Sequence, residues 1–188
     1  MKSEILVIDD NVDIRFLICN ILKDNNYIVR SAANFAQAEF EIKKKLPDLA
    51  IIDIKLDKGD RDGIELLKMI MKTNKSIPTI MISGHANVQL AVEAIRLGAY
   101  EFLEKPFSTE KILNYVYRAL ERAFLKNEKD KLENKLFHSF DLIGESPEII
   151  KIKKVIDKLS STDSRVLISG PTGSGKELVA RKIHKNSL

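Results

Sequence analysis

Ile5-Leu-Val-Ile-Asp9-Asp10 runs through four apolar residues and closes on two acids, and Leu49-Ala-Ile-Ile-Asp53 repeats the form. A short uninterrupted apolar run reads as a strand covered on both faces, the habit of a parallel sheet. Working outward from these two, similar runs recur at Ile28 to Ala32, Thr79 to Ser83 and Glu101 to Leu103. Amphipathic stretches of roughly 12 residues separate them, long enough for crossover helices. Five βα units result, an α/β chain with a doubly wound five-stranded parallel sheet. Asn11, Asn34 and Asn87 precede periodic runs as helix N-caps, and Gly98 after Arg96-Leu97 reads as a helix stop.

Composition agrees with a folded protein that stays out of membranes. The chain has 188 residues with 44% hydrophobic and 31% charged, and no apolar run approaches the length that crosses a bilayer. Met1 to Glu4 lead straight into a strand, which does not read as an export signal. A single cysteine, Cys19, fits a reducing cytoplasm and a packing role on the first helix. Residues 1–120 hold 17 basic and 17 acidic residues, so the whole net charge of +4 falls in 121–188. Because signs alternate from Lys126 to Lys135, that excess reads as a solvated face before it reads as a nucleic-acid site. His85, His138 and His184 show no metal-ligand spacing.

The helix after Pro106 begins at Ser108 or Thr109. From Glu110 to about Phe137 there is neither Gly nor Pro, which predicts one helix of at least 25 residues. Leu113, Val116, Leu120 and Ala123 keep a 3,4 spacing, then Asn127 and Asp130 fall on the seam, and Leu125, Leu132 and Leu136 resume in another register. The first part would suit a coiled-coil dimer and the second a solvated linker. Gly144 and Pro147 break the helix, and Ser146 caps another one through about Leu159. Expected boundaries are 1–120, a helical linker 121–140, and 141–188.

In an open parallel sheet, ligands bind beyond the carboxyl ends of the strands. Strand one ends at Asp9-Asp10, strand three at Asp53, strand four at Ser83-Gly84, and strand five leads to Lys105-Pro106. In a 2-1-3-4-5 order strands one and three are neighbours, so three carboxylates converge. Bare, they would repel; a hard divalent cation, Mg²⁺ above all, relieves this. Asp53 is then available as a nucleophile toward a phosphoryl group. Ser83 and Lys105 would offer a hydroxyl and an ammonium to the phosphoryl oxygens. Any one of these residues alone would be a cap or a turn; all of them at the right strand ends make a site.

Over about residues 3–120 this set resembles the receiver domain of two-component response regulators. The resemblance implies a flavodoxin-like, CheY-like fold, metal binding by Asp9 and Asp10, phosphorylation of Asp53, and a Lys55 carbonyl that completes the coordination. It implies phosphate contacts from Ser83 and Lys105, a cis bond between Lys105 and Pro106, and Phe102 as the switch aromatic where the family often has Tyr. A sensor histidine kinase would be the donor, and a homodimer would form through helix 108–125 and the helix four to strand five face. Asp53-Ile-Lys-Leu-Asp-Lys-Gly-Asp-Arg-Asp-Gly63 lacks the usual Met-Pro and is about two residues longer than the common form. In this it resembles the NtrX type within the NtrC/NtrX regulators.

Gly170-Pro-Thr-Gly-Ser-Gly-Lys176 fits a phosphate loop, with an expected strand at Val166 to Ser169 before it and a helix after it. Gly170, Gly173, Ser174 and Gly175 would cradle phosphates and Lys176 would reach the outer ones, while Glu177 stands where many such loops place a metal-binding hydroxyl. With Leu142-Ile-Gly-Glu-Ser-Pro147 and Glu177-Leu-Val-Ala180, residues 141–188 resemble the opening of the AAA+ ATPase domain of sigma-54-dependent activators. That implies ATP as ligand, Ile143-Gly144 near adenine, and Pro171 in place of a common Glu. The stretch reads as truncated, marginally folded alone and without ATPase activity. DNA and sigma-54 polymerase would then be partners only of an intact relative. The competing readings are a phosphoryl sink that binds partners and a working P-loop NTPase.

Overall fold

A computed structural model describes residues 2–56, 62–84, 88–138, 142–159, 162 and 164–187. Asn87, His85 and the acidic loop 57–61 lie outside the described residues. The chain divides into two compact units, Met1–Asn127 and Glu128–Leu188.

The first unit alternates β1 (Glu4–Ile8), α1 (Val12–Asp24), β2 (Ile28–Ala32), α2 (Phe35–Lys44), β3 (Leu49–Asp53), α3 (Asp62–Thr73), β4 (Thr79–Ser83), α4 (Val88–Arg96), β5 (Glu101–Glu104) and α5 (Thr109–His138). The five strands form one sheet in the order β2-β1-β3-β4-β5, with every pairing parallel. All five residues of β1, β3 and β4 are buried, as strands sandwiched between helices must be. Expectation and structure part at β2, an edge strand in which only Ala32 is buried.

Side chains alternate across the sheet. Leu6, Ile8, Ala50, Ile52 and Met81 pack with α2, α3 and α4. Ile5, Val7, Ile51, Ile80, Ile82 and Leu103 pack against Ile18 and Leu22 of α1 and Ile112, Val116 and Ala119 of α5. The buried stripe of α5 is therefore 112, 116 and 119, with Leu113 and Leu120 at its flanks. Val116, expected on a seam facing a partner, is spent on the sheet, while Tyr117, Phe124 and Leu125 remain exposed.

Local chemistry sets the helix ends. Asn11 Oδ1 accepts the amides of Asp13 and Ile14, and Asn34 Oδ1 accepts that of Gln37. At the end of α4, Gly98 takes a φ of 105°, its amide bonds Ile95 O, and the Ala99 amide bonds Ala94 O. This closure of orphan carbonyls needs a left-handed residue, which glycine adopts at little cost.

Opposite the carboxyl ends, Glu4 lies between Arg30 and Lys45, bonded to both. Arg30 also bonds Glu41 Oε2 at 2.6 Å and the Lys45 carbonyl at 2.7 Å. The Glu4 amide donates to Asp48 Oδ2 at 2.8 Å. The Lys45 ammonium, and after it Arg30, hold the Glu4 carboxyl below the usual range against the opposing effect of burial.

The second unit contains the end of α5, then α6 (Pro147–Leu159) and α7 (Lys176–Asn186). Ser146 Oγ accepts the Ile149 amide at 3.4 Å at the start of α6. The expected strand over 165–169 is not one: it makes no ladder bond among the described residues. Val-Leu-Ile has strand composition, but a strand exists only with a partner whose N–H and C=O groups meet its own. Leu167 is 93% exposed. Among the described residues no helix is long and apolar enough to cross a membrane.

Candidate functional site

The site is assembled by the order of the strands. β1 and β3 are adjacent, so Asp9, one residue past β1, and Asp53, the last residue of β3, meet at the carboxyl ends of these two central strands. Asp9, Asp10 and Asp53 each bring a carboxylate oxygen within 4.8 Å of the others. Asp9 and Asp53 are buried and Asp10 is exposed. Lys105 reaches into the group from beyond β5: its Nζ donates to Asp9 Oδ2 at 2.8 Å and to Asp53 Oδ2 at 2.5 Å. Ser83, buried at the end of β4, lies next along from Ile82, the register partner of Asp53. Its carbonyl accepts the Lys105 amide at 2.8 Å, which ties strand four to the lysine.

Burial is the largest influence on Asp53 and pushes its carboxyl up; the nearby Asp9 charge adds to this, and the hydrogen bond and charge of Lys105 oppose it. Burial works against the Lys105 ammonium too, yet Asp53 and Asp9 outweigh it and its pKa moves up. The ammonium thus occupies a place of high negative potential where a stronger cation would bind. An all-oxygen donor set of three carboxylates fits a hard divalent ion such as Mg²⁺.

Sequence reasoning brought these residues together, and the structure places the others as follows. The Lys55 amide donates to Asp53 Oδ1 at 3.4 Å, so residue 55 borders the group. The Lys105-Pro106 bond is cis. Phe102 packs against the α2, α3 and α4 side of the sheet, opposite Leu103.

Two residues at the site have no counterpart in the sequence reading. Arg15 Nη1 donates to the carbonyls of Asp9 and Asp10 at 2.5 and 3.3 Å. Gly63, at the start of α3, lies so close to β3 that a Cβ there would stand 2.0 Å from Asp53 O and 2.8 Å from Ile54 Cα. The signal for Gly63 was a glycine in the first turn of a helix, where one lowers stability unless something approaches.

In the second unit, Gly170, Gly173 and Gly175 have φ of 158°, 81° and 81°, and α7 starts at Lys176 with Gly175 as its cap. No side chain caps that helix among the described residues, which leaves its first amides without a side-chain acceptor, as an anion cradle requires. Lys176 Nζ closes the loop on itself, donating to Gly170 O at 3.0 Å and Pro171 O at 2.6 Å. Ser174 Oγ sits beside Gly170. Glu177 turns along the helix and pairs with Arg181 at 2.7 Å. Ile143 is 93% exposed.

A family model described as the response regulator receiver domain matches residues 5–117, and one described as the sigma-54 interaction domain matches residues 142–188. The nitrogen assimilation regulatory protein NtrX of Azorhizobium caulinodans is 41% identical over 187 residues, 100% of this chain and 41% of that protein. A putative response regulator, NtrX-like, of Rickettsia bellii is 42% identical over 184 residues, 98% of this chain and 38% of that protein. The crystal structure of NtrX from Brucella abortus in complex with ATP has 41% identity and a TM-score of 0.68, covering 99% of this chain and 41% of that one. The chain thus spans about two fifths of the length of the curated relatives it matches. Strand order, an acid group at the carboxyl ends and a sigma-54 interaction segment downstream converge with these matches: the chain belongs to the response regulators of two-component systems, of the NtrX-like type.

Proposed function

We propose that this chain is a phosphoryl-accepting switch for transcription, with Asp53 as acceptor and a sensor histidine kinase as donor. The observation that carries this reading is the lysine bridge, in which the Lys105 ammonium spans Asp9 and Asp53 with Asp10 beside them. An Asp53 carboxylate oxygen attacks the phosphorus of a phosphohistidine, the P–N bond breaks, and the imidazole nitrogen keeps the electron pair and takes a proton from solvent. The product is a mixed anhydride on Asp53. Asp9, Asp10, Asp53 and the Lys55 carbonyl would hold Mg²⁺, which neutralises charge on the transferring group. Lys105 gives up its bond to Asp53 and donates to a phosphoryl oxygen, and Ser83 offers its hydroxyl to another. Movement at Ser83 is then passed along β4 to Phe102 and the α4 surface, changing the face offered to a second copy or a partner.

In the second unit, the uncapped first amides of α7 and the Lys176 ammonium suit the phosphates of a nucleotide, and the relative solved with ATP makes ATP the ligand to test. Lys176 would exchange its two carbonyl contacts for phosphate oxygens. The covalent chemistry of this chain itself belongs to Asp53.

Intact mass after incubation with Mg²⁺ and acetyl phosphate tests the acceptor. One added phosphoryl group, absent in Asp53→Ala, supports the reading; no addition to a folded, Mg²⁺-binding chain, from either acetyl phosphate or a phosphorylated kinase, overturns it. The competing reading of a phosphoryl sink expects phosphotransfer without promoter-specific DNA binding, and a promoter footprint from the purified chain would count against it.

A further inference from the structure

Arg15 lies in the first turns of α1, and its guanidinium reaches back past the start of that helix. One amino group, Nη1, places its two hydrogens on two successive carbonyls, Asp9 O at 2.5 Å and Asp10 O at 3.3 Å. These are the main-chain groups of the two residues whose carboxylates gather with Asp53. The Asp9 side chain is already committed on both oxygens, Oδ1 to the Asn11 amide at 2.9 Å and Oδ2 to Lys105. Asn11 in turn spends its own side chain on the amides of Asp13 and Ile14. The turn from β1 into α1 is thus closed on its side chains by Asn11 and on its main chain by Arg15.

We infer that Arg15 is a positioning residue for divalent-cation binding: it clamps the Asp9–Asp10 turn so that both carboxylates face Asp53. The inference rests on the acceptor reading above and adds a residue to it. Its sign is what makes it testable. A guanidinium beside a cation site repels the cation, so by charge alone removing Arg15 tightens binding. Positioning demands the reverse, because two acids released from a common geometry bind a rigid octahedral ion less well. Groups that orient metal ligands, without touching the metal, typically cost about 10- to 100-fold in affinity when removed.

The test is a Mn²⁺ titration of the whole chain followed by electron paramagnetic resonance, which reads free cation and needs no phosphorylation. Arg15→Ala is expected to bind Mn²⁺ about tenfold more weakly than the unaltered chain, and Arg15→Lys to recover part of the loss. Equal or tighter binding by Arg15→Ala overturns the inference. Should the alanine variant fail to fold by circular dichroism, the neutral Arg15→Gln decides on the same terms. An unaltered chain that neither binds Mn²⁺ nor accepts a phosphoryl group removes the acceptor reading, and the clamp with it; an unaltered chain that does both while Arg15→Ala binds equally well removes the clamp alone.

Discussion

The ammonium of Lys105 donates to the carboxylate of Asp53 at 2.5 Å, spanning β4 to join the loop after β5 to the end of β3. Lys105 is the counter-charge for two acids that are nearly sealed from solvent. Replacing it by Met leaves both buried and unpaired, and removing one partner of a buried pair costs about 3 kcal/mol or more. Urea unfolding of Lys105→Met in EDTA is expected to show that loss, and saturating Mg²⁺ to return part of it. No loss in EDTA would mean that the acids are protonated or solvated, not held by the lysine.

Cation binding should itself be visible in stability. A ligand that binds only the folded chain adds about 1.4 kcal/mol for each tenfold rise in its concentration above Kd. The urea midpoint of the unaltered chain is expected to climb with Mg²⁺ in this way. Asp9→Asn, which takes one carboxylate from the group, is expected to flatten the climb.

Gly63 lets helix and strand approach where a side chain cannot fit. A methyl group there would meet the Asp53 carbonyl and the Ile54 Cα, both main chain, so the neighbours cannot turn aside. Gly63→Ala is expected to cost about 2 kcal/mol through overpacking, measured by urea unfolding. Because relief has to come from moving the backbone of Asp53, the proposed acceptor, phosphorylation by acetyl phosphate should slow as well. A variant of unchanged stability and rate would show that α3 can move away freely.

Glu4 makes the stability of the first unit depend on pH. Its folded pKa is lowered, chiefly by Lys45 and then Arg30, so its contribution is complete above the ordinary carboxylate range and fades as pH falls through the lowered value. Glu4→Gln is expected to cost about 2 kcal/mol at neutral pH, the usual order for hydrogen bonds to charged groups. The difference between the two chains should shrink steadily below about pH 4.5, measured in EDTA to keep the cation site out of the comparison. A constant difference across that range would assign the loss to packing.

Much of this was legible in the residues. The apolar runs that end in Asp9-Asp10 and Asp53 declare strands buried on both faces, and their adjacency follows once the order of the sheet is assumed. Asn11 and Asn34 mark helix starts because their side chains can do there what no apolar residue can. What stayed hidden depends on distance along the chain. Glu4 meets Arg30 and Lys45, 26 and 41 residues away, and no local pattern reports such a pair. On α5 two apolar stripes run side by side, and only the position of the sheet selects Ile112, Val116 and Ala119 over Leu113 and Leu120. Val166 to Ser169 has the look of a strand, but that identity belongs to a pair of segments and cannot be read from one.

The alternation of side chains across the sheet sets a rule for length. Along β3, Leu49 and Ile51 face α1 and α5, Ala50 and Ile52 face the other helices, and Asp53 continues the phase of Leu49 and Ile51. All four residues before the acid are apolar, so deleting any one of them would leave the core greasy on both sides and the strand free to pair. Asp53 would nonetheless be carried to the wrong face, away from Asp9 and Lys105. In most half-exposed strands such a slip is punished by exposing hydrophobic residues; here the apolar residues would not register it, and the penalty would fall on the acid, buried without its lysine. The segment should therefore accept many exchanges of one aliphatic residue for another and no change in their number, a counting constraint set by the acid at its end and not by the apolar residues themselves.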